Sequence, residues 1–274
     1  MYQKPTVPRS IGGVLDDTFQ LYKAAFSSCW LPMVILSLIG VASVWYRFSN
    51  VTTVAPGTGF SQLLLQLQSE PPGYRALSLL TVLVDLVLYS VLILNIVAAS
   101  HGQKASFGAS LATALRRFLP AVGASIIFII VTAVGTVLLV VPGIYLAFRL
   151  MLFMVPLLTV PEGPGTALST SWRLVGGNWW RTFILVCVML AIMWVVDIAL
   201  ITVVGSATAV FHSGPTNLVQ AAGSFAIGAI IVGAITRIFT TPLLVAVLVT
   251  VYQDLMLRKE GGDLAARLGA LPQG

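Results

Sequence analysis

Long apolar stretches separated by short polar ones make up most of the chain from residue 29 onward. A helix that crosses a bilayer needs about 17–25 apolar residues. Six stretches qualify: 29–45, 76–99, 121–141, 144–160, 182–204, and a long one from about 218 to 257. The third and fourth are separated only by Pro142-Gly143. Proline presets φ and glycine accepts the left-handed region, so the pair predicts a tight turn and an antiparallel hairpin. The last stretch would form roughly 60 Å of helix at 1.5 Å per residue. It is either one helix kinked at Pro242 or two spans broken near residues 236–241.

The segments ahead of the first, third and fifth spans share a second pattern. Aligning Leu15, Leu111 and Leu168 puts a small residue three positions later, at Thr18, Ala114 and Ser171, and a large apolar one next, at Phe19, Leu115 and Trp172. Residues four apart lie on one helical face, so each segment predicts a short amphipathic helix. Basic residues follow at Lys23, at Arg116 and Arg117, and at Arg173, with Arg181 further on. Such helices lie in the interfacial plane and favour anionic headgroups, so these five basic residues are candidate lipid contacts. The expected plan is one transmembrane domain over 1–274, with repeat units at about 10–100, 106–160 and 163–257 and a cytoplasmic tail at 258–274. Each unit is an interfacial helix followed by a transmembrane hairpin. The first hairpin carries a long loop at 46–75, in which residues 60–68 read as a surface helix.

Composition agrees with a membrane setting. Only 9% of the 274 residues are charged and 58% are hydrophobic, with a mean hydropathy of +0.97. A soluble domain has near 25% charged residues, so this chain cannot cover a water-facing surface. Placing the N-terminus in the cytoplasm puts 11 of the 15 basic residues on the cytoplasmic side, two outside (Arg47, Arg75) and two within spans. That asymmetry fits the positive-inside rule with six spans and both termini cytoplasmic. The polar first ten residues contain no apolar core of a cleavable signal. The fold class is therefore all-α, a polytopic membrane protein, and the expected location is a bacterial inner membrane.

Four ionisable residues fall within the spans: Asp85, Arg149, Asp197 and Arg237. Each costs about 2.5–3.5 kcal/mol on insertion scales, so each should face protein or water and find a partner. Counted from the outer ends of their spans, Arg149, Asp197 and Asp85 lie roughly 8, 10 and 14 Å deep. They form either a polar cavity for an anionic group or two structural ion pairs. Tyr89 and Asn95 are candidate cavity lining or interhelical hydrogen-bond partners. Small residues from Ala222 to Ala234, including Ala229 and Gly233, permit close helix packing within the chain or between copies in a homo-oligomer.

Chemistry is sparse. The two cysteines, Cys29 and Cys187, lie in apolar surroundings, and the two histidines, His101 and His212, fall at opposed ends of spans. No metal spacing, nucleotide loop or nucleophile elbow occurs, so no catalytic residue, metal, cofactor or nucleic-acid partner is expected.

Several motifs together are distinctive. They are Pro142-Gly-Ile-Tyr-Leu-Ala-Phe-Arg149, Pro156, Pro161-Glu162, Gly165, Ala167-Leu-Ser-Thr-Ser171-Trp-Arg, Gly177-Asn-Trp-Trp-Arg181, the opening Ser10-Ile-Gly-Gly-Val-Leu-Asp-Asp, and Pro242 with Val251-Tyr-Gln-Asp-Leu. On these the chain resembles the glycerophosphoryl diester phosphodiesterase membrane-domain family, most specifically over 140–182 and 237–265. The resemblance implies an envelope- or lipid-related role, without a soluble phosphodiesterase barrel and without catalytic residues to carry over. The expected function is binding or movement of an amphipathic or anionic small molecule or lipid. It would use a cavity around Arg149 and Arg237, with Asp85 and Asp197 as counter-charges. A non-transporting scaffold is the alternative, and an intramembrane phosphodiesterase the third reading.

Overall fold

A computed structural model describes residues 4–50, 72–161, 163–213 and 218–269. All regular structure among them is helical. The elements are α1 (Ile11–Asn50), α2 (Pro72–Ser100), α3 (Phe107–Arg116), α4 (Phe118–Leu138), α5 (Val140–Leu150), α6 (Met154–Thr159), α7 (Pro164–Val175), α8 (Trp179–Ser213) and α9 (Leu218–Gly269). Six stretches of described helix are long and apolar enough to cross a membrane: Ile11–Ser43, Arg75–Ser100, Phe118–Leu138, Val140–Thr159, Trp179–Ala207 and Gly228–Lys259. The protein is an all-α, multi-pass membrane protein. The loop segment 60–68 and Glu162 lie outside the described residues.

Several boundaries differ from the sequence expectation. The first interfacial segment is continuous with its span, because α1 runs unbroken through Pro32. The last stretch is likewise one helix through Pro242, and it continues to Gly269, so most of the expected tail is helical. The hairpin turn is not at Pro142-Gly143. It falls at Leu139, which is extended (φ −161°, ψ 137°), and Pro142 lies in the first turn of α5. The first-turn N–H groups have no intrahelical acceptor, so proline loses nothing there. Gly143 serves spacing instead: a Cβ on it would stand 2.6 Å from the Thr136 Cα, so its bareness lets α5 lie directly on α4. The fourth span is also interrupted, at Met151–Phe153, between α5 and α6.

At the aligned positions of the three segments the small residue faces inward. Thr18, Ala114 and Ser171 are all buried, whereas Phe19, Leu115 and Trp172 are 37–57% exposed. A soluble amphipathic helix would turn its large residues inward. In a bilayer lipid tails are as apolar as leucine, so large side chains gain little by burial and small ones allow close contact.

The residues cluster into two compact units, each assembled from separated segments. The first comprises Met1–Pro32, Val87–Val195 and Phe239–Gly274, and the second Met33–Leu86 and Val196–Ile238. In the first unit a core forms from Val14, Leu152, Leu174, Leu185, Met189 and Val251 among others, with Tyr89 and Phe148 packed at its edge.

Candidate functional site

Polar ties between helices run through the first unit. The Thr18 and Thr250 hydroxyls lie 2.7 Å apart. Ser110 Oγ donates to Asn95 Oδ1 at 2.6 Å, and Asn95 Nδ2 donates to the Ser28 carbonyl at 2.8 Å. Gln253 Nε2 donates to Ser100 Oγ at 2.8 Å. Asn95 is thus an interhelical hydrogen-bond hub. Tyr89 packs against the core.

The strongest polar centre gathers around Asp254. Its Oδ2 accepts from Arg181 Nε (3.0 Å) and Arg258 Nε (2.9 Å), and its Oδ1 from the Arg9 backbone N–H (3.0 Å). Arg181 Nη2 and Arg258 Nη2 both donate to the Arg9 carbonyl at 2.6 Å. The Arg9 side chain lies 3.6 Å from the buried Asp17 carboxylate. This knot fixes the N-terminal segment, the start of α8 and the last part of α9 together. Arg181, expected to touch lipid, is held inside it; Lys23, Arg116 and Arg173 are exposed, and Arg117 is half-buried. Asp254 is a further charge within the apolar stretches: it lies inside the last of them, and only 4% of it is exposed.

Arg149 occupies a different setting. Its Nη1 donates to the Tyr145 hydroxyl (2.7 Å) and its Nη2 to the Trp172 carbonyl (3.2 Å). Its Cζ stands 4.0 Å from the Trp172 ring centre and 5.4 Å from that of Tyr145. A guanidinium over an aromatic face is attracted by the ring quadrupole. The Trp172 carbonyl belongs to the last turn of α7 and also accepts the Gly176 N–H, so Arg149 sits at the negative end of that helix dipole. Gly176 makes room, since a Cβ there would meet Arg149 Nη2 at 2.6 Å. Gly177 (φ +83°) takes the left-handed conformation that ends α7. Around this group Tyr145, Phe148, Trp179, Trp180 and Phe183 form an aromatic cluster with ring centres 4.9–6.2 Å apart. Among the described residues every partner of the guanidinium is neutral, and its buried Nε bonds to none of them.

The other three intramembrane charges belong to the second unit. Arg237 Nη2 pairs with Asp85 Oδ2 at 3.4 Å, both side chains being partly exposed. A Cβ on Gly40 would stand 2.6 Å from Arg237 Nη1, so Gly40 admits the guanidinium. Ser37, Gly40, Ile230, Gly233 and Arg237 line a cavity of about 210 Å³, below the ~300 Å³ usual for small-molecule sites. Asp197 has a buried Oδ1 that bonds to no described residue. Ala229 and Gly233 are half-buried, and the side chains of Ala222 to Ala226 lie outside the described residues.

The four charges therefore divide into one ion pair, one acid with an orphaned oxygen, and one arginine held by neutral groups. No group of three or more His, Cys, Asp or Glu able to hold a metal occurs among the described residues. Comparison with family profiles, curated proteins and solved structures gives no match.

Proposed function

We propose that the chain is a bacterial inner-membrane protein that binds an anionic amphiphile, such as a phospholipid, at Arg149. The single observation behind this is a guanidinium whose charge no described carboxylate balances, standing among tryptophans that prefer the membrane–water boundary. Two of its five N–H donors are used by protein. The planar fork that remains suits a phosphate. Exposed Arg173 and Trp180 nearby extend the basic and aromatic surface such a headgroup would meet. The termini are cytoplasmic in this reading, on the positive-inside count. The threefold repeat belongs to it as well. Thr18, Ser110 and Ser171 each hydrogen-bond to α9, α2 and α5 respectively, so each interfacial segment binds the hairpin that precedes it, the first using the last. The reading includes membership of the family resembled above, which assigns no reaction.

Asp85 and Arg237 act in this account as a structural pair, since each supplies the other's counter-charge. The test is lipid retention by purified protein in native mass spectrometry, comparing phosphatidylglycerol with phosphatidylcholine. Wild type should retain the anionic lipid preferentially. Arg149→Gln should weaken it about fivefold, the equivalent of ~1 kcal/mol for one basic residue at an anionic surface. Equal retention by wild type and Arg149→Gln would remove the proposal.

A further inference from the structure

Length and hydropathy make α4 and the α5–α6 stretch candidates for crossing the membrane. Their contacts bear on how they meet it. Arg181 and Arg258 both bond to the Arg9 carbonyl, so the N-terminal segment, the beginning of α8 and the end of α9 share one membrane face. Trp179 lies two residues before Arg181, and its indole N–H donates to the Tyr145 carbonyl at 3.3 Å, the rings 5.5 Å apart. Tyr145 is only five residues from Val140, where the hairpin turns, a distance of about 8 Å along a helix.

A hairpin with its tip on the opposite face would put Tyr145 and Trp179 on opposite sides of a hydrocarbon core about 30 Å thick. Direction points the same way. Tyr145 meets Trp179, and Phe148 meets Phe183 at 4.9 Å, so α5 and α8 advance together. Consecutive spans of alternating direction would oppose each other.

The tip itself is built for hydrocarbon. Residues 137–141 are all aliphatic and 62–86% exposed, and no polar side chain occurs between Thr136 and Tyr145. The turn is closed by two backbone bonds, the Leu139 N–H donating to the Gly135 carbonyl (3.1 Å) and the Gly143 N–H to that of Leu139 (3.2 Å), and Pro142 has no N–H to leave unpaired.

We infer that the α4–α5 hairpin is a non-crossing wedge, its aliphatic tip embedded among the acyl chains of the leaflet on the side of the chain's N-terminus. Four helices, α1, α2, α8 and α9, then cross. This holds whether or not Arg149 binds lipid.

The test uses the full chain with Cys29→Ala and Cys187→Ala, in native membranes. Single cysteines at Val140, at Lys4 and at Ala55 in the connection between α1 and α2 are probed with membrane-impermeant and lipid-soluble maleimides. A Tyr145→Cys/Trp179→Cys pair is probed separately with a short bifunctional maleimide. The expected result is that the paired cysteines cross-link and that Val140→Cys reacts only from the side that labels Lys4→Cys, or only with the lipid-soluble reagent. Labelling of Val140→Cys from the side that labels Ala55→Cys overturns the inference, as does absence of the cross-link.

Discussion

Charge placement at single residues separates structural from functional groups. Asp254 collects two guanidinium groups and a backbone N–H in a nearly closed pocket. Removing one partner of a buried pair leaves the others uncompensated. Asp254→Ala should therefore cost about 3–5 kcal/mol, read as a fall in the thermal unfolding midpoint in detergent. Arg173→Ala, at an exposed position, should stay within about 0.5 kcal/mol in the same assay. Asp85 and Arg237 are partly exposed and 3.4 Å apart. A double-mutant cycle with Asp85→Asn and Arg237→Gln should give a coupling of about 1 kcal/mol or less. A much larger coupling would mean that the pair is shielded from solvent. The four charges were conspicuous in the sequence because each interrupts an apolar run. Their partners were not, since Asp85 and Arg237 are 152 positions apart and nothing local marks one for the other. Asp254 was hidden for a simpler reason. It lies near the end of a long apolar stretch, where it reads as a boundary residue until Arg9 and Arg181 are seen to converge on it.

Helices follow the apolar pattern closely, and their breaks do not. All six apolar stretches form helix, because long apolar runs have no other way to satisfy their backbone in lipid. The break at Leu139 and the one at Met151–Phe153 were displaced from or missing in the sequence reading. Contacts between elements accompany both, Gly143 on Thr136 and Phe153 on Phe128, and a proline stands in the first turn after each, Pro142 and Pro156. Gly143→Ala should accordingly force α4 and α5 apart and cost about 1–3 kcal/mol. Gly165→Ala, whose added Cβ would meet nothing within 4 Å, serves as the neutral comparison. The interfacial segments make an equivalent case. Ala114→Leu should lower the unfolding midpoint clearly, whereas Leu115→Ala should change it little, since the first is buried and the second faces outward. The reverse ranking would mean that the large residues carry the packing. The spacing of small and large residues was legible in the sequence; which of the two faces inward at these positions was not, because lipid solvates a large apolar side chain as well as protein does.

Across the whole molecule, scarcity of charge marks a membrane protein. Within the apolar stretches, Asp254 is committed to Arg181 and Arg258, and Asp85 to Arg237. Arg149 is held by a hydroxyl, a carbonyl and two aromatic faces, none of which neutralises it. Lipid phosphate supplies the missing charge in the proposed account. The most direct measurement is an experimental structure in nanodiscs containing phosphatidylglycerol. The account predicts headgroup density with a phosphate oxygen within hydrogen-bond distance of the Arg149 guanidinium, between Tyr145 and Trp172. Arg149 bonded to a carboxylate of the protein, with no lipid density beside it, would contradict that account.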